Sequence, residues 1–153
     1  MGQQQLLLVI LVTIIVGIAT VVALNVFGTQ ADEANRDAGR QDILGAAANA
    51  QGYYIRPDMM EGGGYDFDGL TMDDLSIPGT NDDDDSQWWN ENGSYTLSNE
   101  GGNTFTLTGH PASAGGGTDE HTEVGADDQI EATITVEEED GDEEVSIEWG
   151  DGS

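Results

Sequence analysis

Carboxylates are the most abundant reactive groups in this chain, with 31 Asp and Glu among 153 residues. Asp82, Asp83, Asp84 and Asp85 form one acidic run, and Asp66-Phe67-Asp68-Gly69 followed by Asp73-Asp74 forms a second cluster. Both offer hard oxygen ligands of the kind Ca²⁺ takes. Neither has the alternating acids, central glycine and distal glutamate of an EF-hand loop. Clusters of this sort follow from composition in so acidic a chain. No resident metal or cofactor is therefore expected, and Asp82–Asp85 are the residues that would hold a cation if one bound. The histidines, His110 and His121, lie on a Gly-rich stretch with Asp119 and Glu120 nearby. A zinc site needs three or four convergent ligands, so exposed loop histidines are the expectation. There is no cysteine, no phosphate-binding glycine loop and no serine in a G-x-S-x-G setting. Many acid pairs could act as glycosidase carboxylates, but no spacing singles one out. A non-enzymatic protein is expected. Asn92-Gly93-Ser94 is an N-x-S triplet, which makes Asn92 a candidate N-glycosylation site.

The net charge of −28 bounds the partners. The cations are Arg36, Arg40 and Arg56, with no lysine. Only Asp32, Glu33, Asp37 and Asp42 precede Arg56, so 27 acids follow it and no Lys or Arg does. Such a field repels nucleic acid and anionic lipid. In molar salt the Debye length falls to ~3 Å and repulsion among carboxylates is screened. The composition then reads as a salt-adapted surface, kept hydrated by its acids.

The stretch that must organise these groups is Leu6 to Phe27, LLLVILVTIIVGIATVVALNVF. Nothing from Met1 to Ala31 carries a charged side chain. A run of this length can cross a bilayer as a helix of ~20 residues. Small residues at Gly17, Ala19 and Ala23 would let a second helix approach closely. Past Gly28 the helix signals continue. Asp32 with Arg36, Glu33 with Arg36 and Asp37 with Arg40 are helix-spaced charge pairs. Ile43, Leu44, Ala46, Ala47, Ala50 and Tyr54 mark one apolar face. A single helix from about Gln3 to Gln51 is expected, with Gly52 as its stop.

Four regions follow: an apolar helix over 1–27, its amphipathic continuation over 28–54, a connecting loop region over 55–93, and an antiparallel β head over 94–153. Pro57, Gly62-Gly63-Gly64, Gly69, Pro78 and Gly79 punctuate the loop region. Trp88-Trp89 would pin it to the helix or the sheet. Four strands are expected. Ser94–Ser98 and Thr104–Thr108 flank a hairpin loop at 99–103, and Ile130–Val136 and Val145–Trp149 flank an Asp-Gly turn. Their alternation gives one apolar and one polar face, as in a sheet covered on one side. The fold class is α+β: a long N-terminal helix packed on a four-stranded antiparallel sheet.

An apolar N-terminal helix with an amphipathic second half, a loop and then an antiparallel sheet resembles the type IV pilins and related pilin-like filament subunits. The Gly2-Gln3 junction before the apolar run is similar to the cleavage point of class III leaders, notably in archaeal pilins. SYTLSNEGGNTFTLTGHP resembles the hairpin of pilin heads. Two departures stand out. The glutamate that many bacterial pilins carry early in the mature chain is absent, since no acid precedes Asp32, and so are the paired head cysteines.

The resemblance implies a subunit held in the cytoplasmic membrane by its apolar helix. A membrane platform and an ATPase would extract it into a helical homopolymer outside the cell. Leu6, Leu7, Leu8, Ile10, Ile14, Gly17, Ile18 and Val21 would form the filament core. The expected function is a structural subunit for surface attachment or motility. The rival expectations are a bitopic, membrane-anchored acidic protein whose head binds cations or a partner, and a minor pilin or pseudopilin.

Overall fold

The computed structural model describes residues 2–80, 87–99, 101–114, 129–139 and 142–151. The chain divides into two compact units, Met1–Ala34 and Asn35–Ser153. One helix, α1 (Gly2–Ile55), contributes to both.

In the first unit, every described residue is exposed. Its hydroxyls do not need water. Thr13, Thr20 and Thr29 donate to the carbonyls of Val9, Val16 and Asn25, at 2.8, 2.8 and 3.1 Å. Each closes an i to i−4 bond back onto the helix's own backbone.

In the second unit, the remainder of α1 covers a five-stranded sheet of order β1-β2-β3-β4-β5, antiparallel throughout. The strands are β1 (Gln87–Trp89), β2 (Gly93–Asn99), β3 (Thr104–Pro111), β4 (Ile130–Glu139) and β5 (Asp142–Asp151). The α+β class and the helix-on-sheet arrangement are those expected, but the sheet has five strands, not four. The extra strand is β1, where Trp88 pairs with Tyr95 and Trp89 with Ser94. Three residues with adjacent tryptophans show no alternation, so period-2 reasoning passes over them.

The core forms where two periodicities meet. Ile43, Ala46, Ala47, Ala50, Tyr53 and Tyr54 are the buried face of α1. Opposite them lie Tyr95, Leu97, Phe105, Leu107, Ile130, Ala132, Ile134 and Val136, every second residue of three strands. Leu44, expected on the buried face, points outward instead, and Tyr53 takes a buried place. Gly109 lets helix and sheet approach: a Cβ there would sit 3.2 Å from Ile43 Cδ1 and 3.4 Å from the Tyr95 ring. Trp149, expected on the apolar face with Val145 and Ile147, is 42% exposed. It lies on β5, which ends the sheet order, so half of its surroundings are open.

The segment between α1 and β1 is not loop alone. It holds a 3₁₀ turn at Asp58–Met60 and a short helix α2 (Met72–Leu75). It also supplies Phe67, Leu70, Met72, Leu75 and Ile77 to the core. Phe67 stacks between Tyr54 and Phe105, with ring centroids 5.0 and 4.8 Å away. Each large apolar side chain so buried is worth about 1.5–3 kcal/mol.

Helix α1 runs four residues past Gln51, and Gly52 does not stop it. Its end is set by Pro57, which disfavours helical backbone at Arg56. The freed carbonyls are taken by the returning loop. Gly63 N–H donates to Tyr53 O at 2.9 Å, Gly64 N–H to Arg56 O at 2.9 Å and Tyr65 N–H to Tyr54 O at 2.8 Å. A Cβ on Gly63 would lie 1.8 Å from Asp66 O, and one on Gly62 would lie 2.3 Å from Arg56 O. The triple glycine is what allows the chain to cap the helix at this range.

Candidate functional site: an apolar helical surface

The feature that calls for a partner is the surface of α1 from Leu6 to Phe27. Leu6, Leu7, Leu8, Ile10, Ile14, Ile18 and Val21 are all about half or more exposed, and Gly17 is exposed among them. Apolar residues occur at consecutive positions, so they surround the helix instead of forming one stripe. A helix apolar all round is stable only when something covers it. It is long and apolar enough to cross a membrane. Its threonines add no penalty in an apolar setting, because their hydroxyls are already bonded to the helix. Gly2 and Gln3 lie at the start of the same helix.

The other sequence-derived candidates have varied placements. Asp82, Asp83, Asp84 and Asp85 lie outside the described residues, as do His121, Asp119 and Glu120. In the second acidic cluster the carboxylates hold the backbone. Asp66 Oδ1 accepts the N–H of Asp68 and of Gly102, both at 2.7 Å. Asp74 Oδ2 accepts the Thr71 N–H at 3.1 Å and its hydroxyl at 2.7 Å, at the start of α2. No three metal-ligating side chains converge among the described residues. His110 sits on β3 opposite Ser94, half-buried, with Nδ1 lacking a hydrogen-bond partner. Burial pushes its pKa below the usual imidazole value.

Asn92 belongs to a cluster that the sequence did not disclose. Asp42, on α1, accepts three hydrogen bonds at Oδ2: from Asn90 Nδ2 at 2.9 Å, Asn92 Nδ2 at 2.8 Å and Tyr95 Oη at 2.8 Å. The carboxylate thereby ties the helix to β2 and to the turn before it. Asn90 shapes that turn, its Oδ1 accepting the N–H of Asn92 at 2.8 Å and of Gly93 at 3.1 Å. Burial, and then the hydrogen bond to Asp42, push the Tyr95 phenol well above its ordinary pKa. The nitrogen of Asn92 that would carry a glycan is the one that donates to Asp42. The partners lie 48 to 53 residues apart in the chain.

No family model, no curated protein and no solved structure matches this chain. The functional reading therefore rests on the molecule itself.

Proposed function

We propose that this chain is a structural subunit of a type IV pilus-like filament, polymerising through the apolar surface of α1. The observation that carries the proposal is the combination of one wholly exposed apolar helical unit with a small acidic α+β head. The apolar unit requires cover, and lipid and a bundle of like helices are equivalent apolar surroundings. A subunit can thus pass from one to the other with little change in solvation. In the bundle Leu6, Leu7, Leu8, Ile10, Ile14, Ile18 and Val21 supply the core, and Gly17 lets a neighbouring helix come close. The heads form the outer sheath, where carboxylates hold water in brine. The reading assigns the subunit no catalysis. Its extraction from the membrane falls to a platform and ATPase of the pilus type, a partner that the resemblance supplies.

Solvent access to the helix tests this reading. The chain has no cysteine, so Ile14→Cys provides a single thiol. In sheared, lipid-free material, Ile14→Cys should stay unlabelled by a water-soluble maleimide until the particles are dissociated. A chain that is found only in membranes, with its thiol released by detergent alone, is an anchored protein and not a filament subunit.

A further inference from the structure

The two edges of the sheet are finished differently. Strand β1 is three residues long, and its outer side is taken by Thr80. Trp89 N–H donates to Thr80 O and Thr80 N–H to Trp89 O, each at 3.0 Å. Strand β5 ends the sheet order on the other side, and no backbone of the described residues bonds to its outer edge. It is ten residues long. It pairs with β4 without a bulge, from Ile130–Asp151 to Glu139–Asp142. It contains no proline and no lysine. Short length, bulges, prolines and lysines are the usual means by which a sheet keeps its edge from recruiting another strand. The apolar row of β5 is also incompletely covered. Val145, Ile147 and Trp149 face the α1 side, opposite Val136, Ile134 and Ala132. Val145 and Ile147 are only half-buried against the core, and Trp149 is exposed.

The residues that would come opposite decide what fits this edge. In an antiparallel pair, residues directly opposite lie on the same face of the sheet. A second copy of β5, paired about Ile147, sets Ile147 opposite its own equivalent and Val145 opposite Trp149. On the solvent face it sets Ser146 opposite Glu148. Apolar residues then meet along one face, and the Glu148 carboxylate meets a hydroxyl on the other. Other registers lose this match. A slide of one residue puts the partner's apolar row on the solvent face. Pairing about Glu148 sets that acid opposite itself, and pairing about Ser146 sets Glu144 opposite Glu148. Like charges directly opposite are destabilising. Toward the strand ends the favoured register sets Glu143 opposite Asp151, a repulsion that molar salt screens with its Debye length of ~3 Å. The β1 edge of another copy is unsuitable, being short and already bonded to Thr80.

We infer that the β5 edges of two copies pair antiparallel about Ile147, joining the two sheets into one. The contact is isologous, with its two-fold axis perpendicular to the sheet. That axis reverses β5 and, with it, the head part of α1. Strands β3 and β5 run the same way, both being antiparallel to β4. The head part of α1 runs against them: Ile43 lies at Gly109, whereas Tyr54 lies at Phe67, which stacks on Phe105. In the pair, therefore, the two α1 segments point in opposite directions. Subunits of one polar filament all point the same way, so the pairing links subunits of two filaments lying side by side in opposite directions. This last step rests on the filament reading; the pairing itself does not.

Full-length chain in detergent at molar salt tests the pairing alone. The chain has no cysteine, so Ser146→Cys and Glu148→Cys each carry one thiol on the solvent face. Residues directly opposite have Cα atoms ~4.5–5.5 Å apart, within disulfide reach, whereas diagonal neighbours at ~7–8 Å are beyond it. An equimolar mixture of the two variants, oxidised with copper phenanthroline, should give about tenfold more disulfide dimer than either variant alone. A single variant that crosslinks as well as the mixture overturns the register. Sedimentation equilibrium reads the strength of the pair. Ser146→Lys sets a lysine opposite Glu148 twice and should tighten the dimer about threefold, and Ser146→Glu should weaken it by about as much. Shifts in the same direction, or a wild-type chain that stays monomeric at millimolar concentration, overturn the inference. In sheared material, wild-type filaments should lie in side-by-side pairs and S146E filaments singly. Wild-type filaments as solitary as those of S146E overturn the link between filaments and leave the polymer reading intact. A detergent dimer from cells that yield no filament removes the polymer reading and keeps the pairing.

Discussion

Asp42 offers the sharpest test of how the head is held together. One carboxylate oxygen receives Asn90, Asn92 and Tyr95, each within 2.9 Å. Hydrogen bonds to a charged acceptor contribute roughly 1.5–3 kcal/mol each. The sum is not the expected cost of Asp42→Ala. The two amides lie in a half-buried turn, and water can replace their acceptor. The Tyr95 hydroxyl cannot be so relieved, because Tyr95 is 1% exposed. Leaving a buried donor unpaired costs about 1–3 kcal/mol by itself. With the two partly compensated amides added, Asp42→Ala should lose about 4 kcal/mol. Tyr95→Phe removes donor and need together, so it should cost only about 1 kcal/mol. The assay is denaturant unfolding of the full chain in detergent at molar salt, followed by tryptophan fluorescence. Asp42→Ala unfolding within 1 kcal/mol of wild type would refute the reasoning. Equal losses for Asp42→Ala and Tyr95→Phe would refute it as well, since the cost would then lie in packing.

Further outcomes follow from the same geometry. Gly63→Ala, whose Cβ would meet Asp66 O at 1.8 Å, should destabilise the head by more than about 3 kcal/mol in the same assay. Gly45→Ala, on the exposed face of α1 with nothing within 4 Å of a new Cβ, should stabilise it by about 0.5–1 kcal/mol. Tyr95 and Tyr53 both have raised pKa values, chiefly through burial. Above a pH of about 10 the unfolded chain loses phenolic protons that the folded chain keeps, so stability should fall as pH rises. The slope should be shallower in Tyr95→Phe, as read from unfolding midpoints between pH 9 and 11. His110, whose pKa is lowered by burial, acts at the other end: below about pH 6.5 the unfolded chain takes up a proton first, and stability should fall as pH falls. His110→Gln should flatten that limb. Lowering salt from molar to about 0.01 M lengthens the Debye length from ~3 to ~30 Å. With a net charge of −28, the melting temperature should drop by about 10 °C or more.

The elements that the sequence disclosed are those whose burial is periodic. Ile43, Ala46, Ala50 and Tyr54 recur at helical spacing, and Phe105, Leu107, Ile130, Ala132 and Ile134 at strand spacing. One side of each element is dry, so the pattern carries the fold. The elements that escaped are set by contacts remote in sequence. Strand β1 exists because Trp88 lies against the core and its backbone pairs with β2; three residues alone carry no period. The overrun of α1 past Gly52 is decided by loop amides ten residues downstream, which cap Tyr53 and Tyr54. Gly52 faces open space, so it costs helix propensity without ending the helix. The apolar surface was legible in full, because a run of uncharged residues requires no partner to be recognised. The Asp42 cluster was not, because in a chain with 31 acids nothing local marks Asp42 as an acid that receives three donors.

The polymer itself is tested most directly by negative-stain electron microscopy of material sheared from cells in high salt, with mass spectrometry of the particulate fraction. Thin filaments composed mainly of this chain, free of lipid and retaining the Leu6–Phe27 peptide, are the expected result. A chain recovered only in the membrane fraction, under conditions where it is abundant, would contradict the filament reading and leave the apolar helix as a simple anchor.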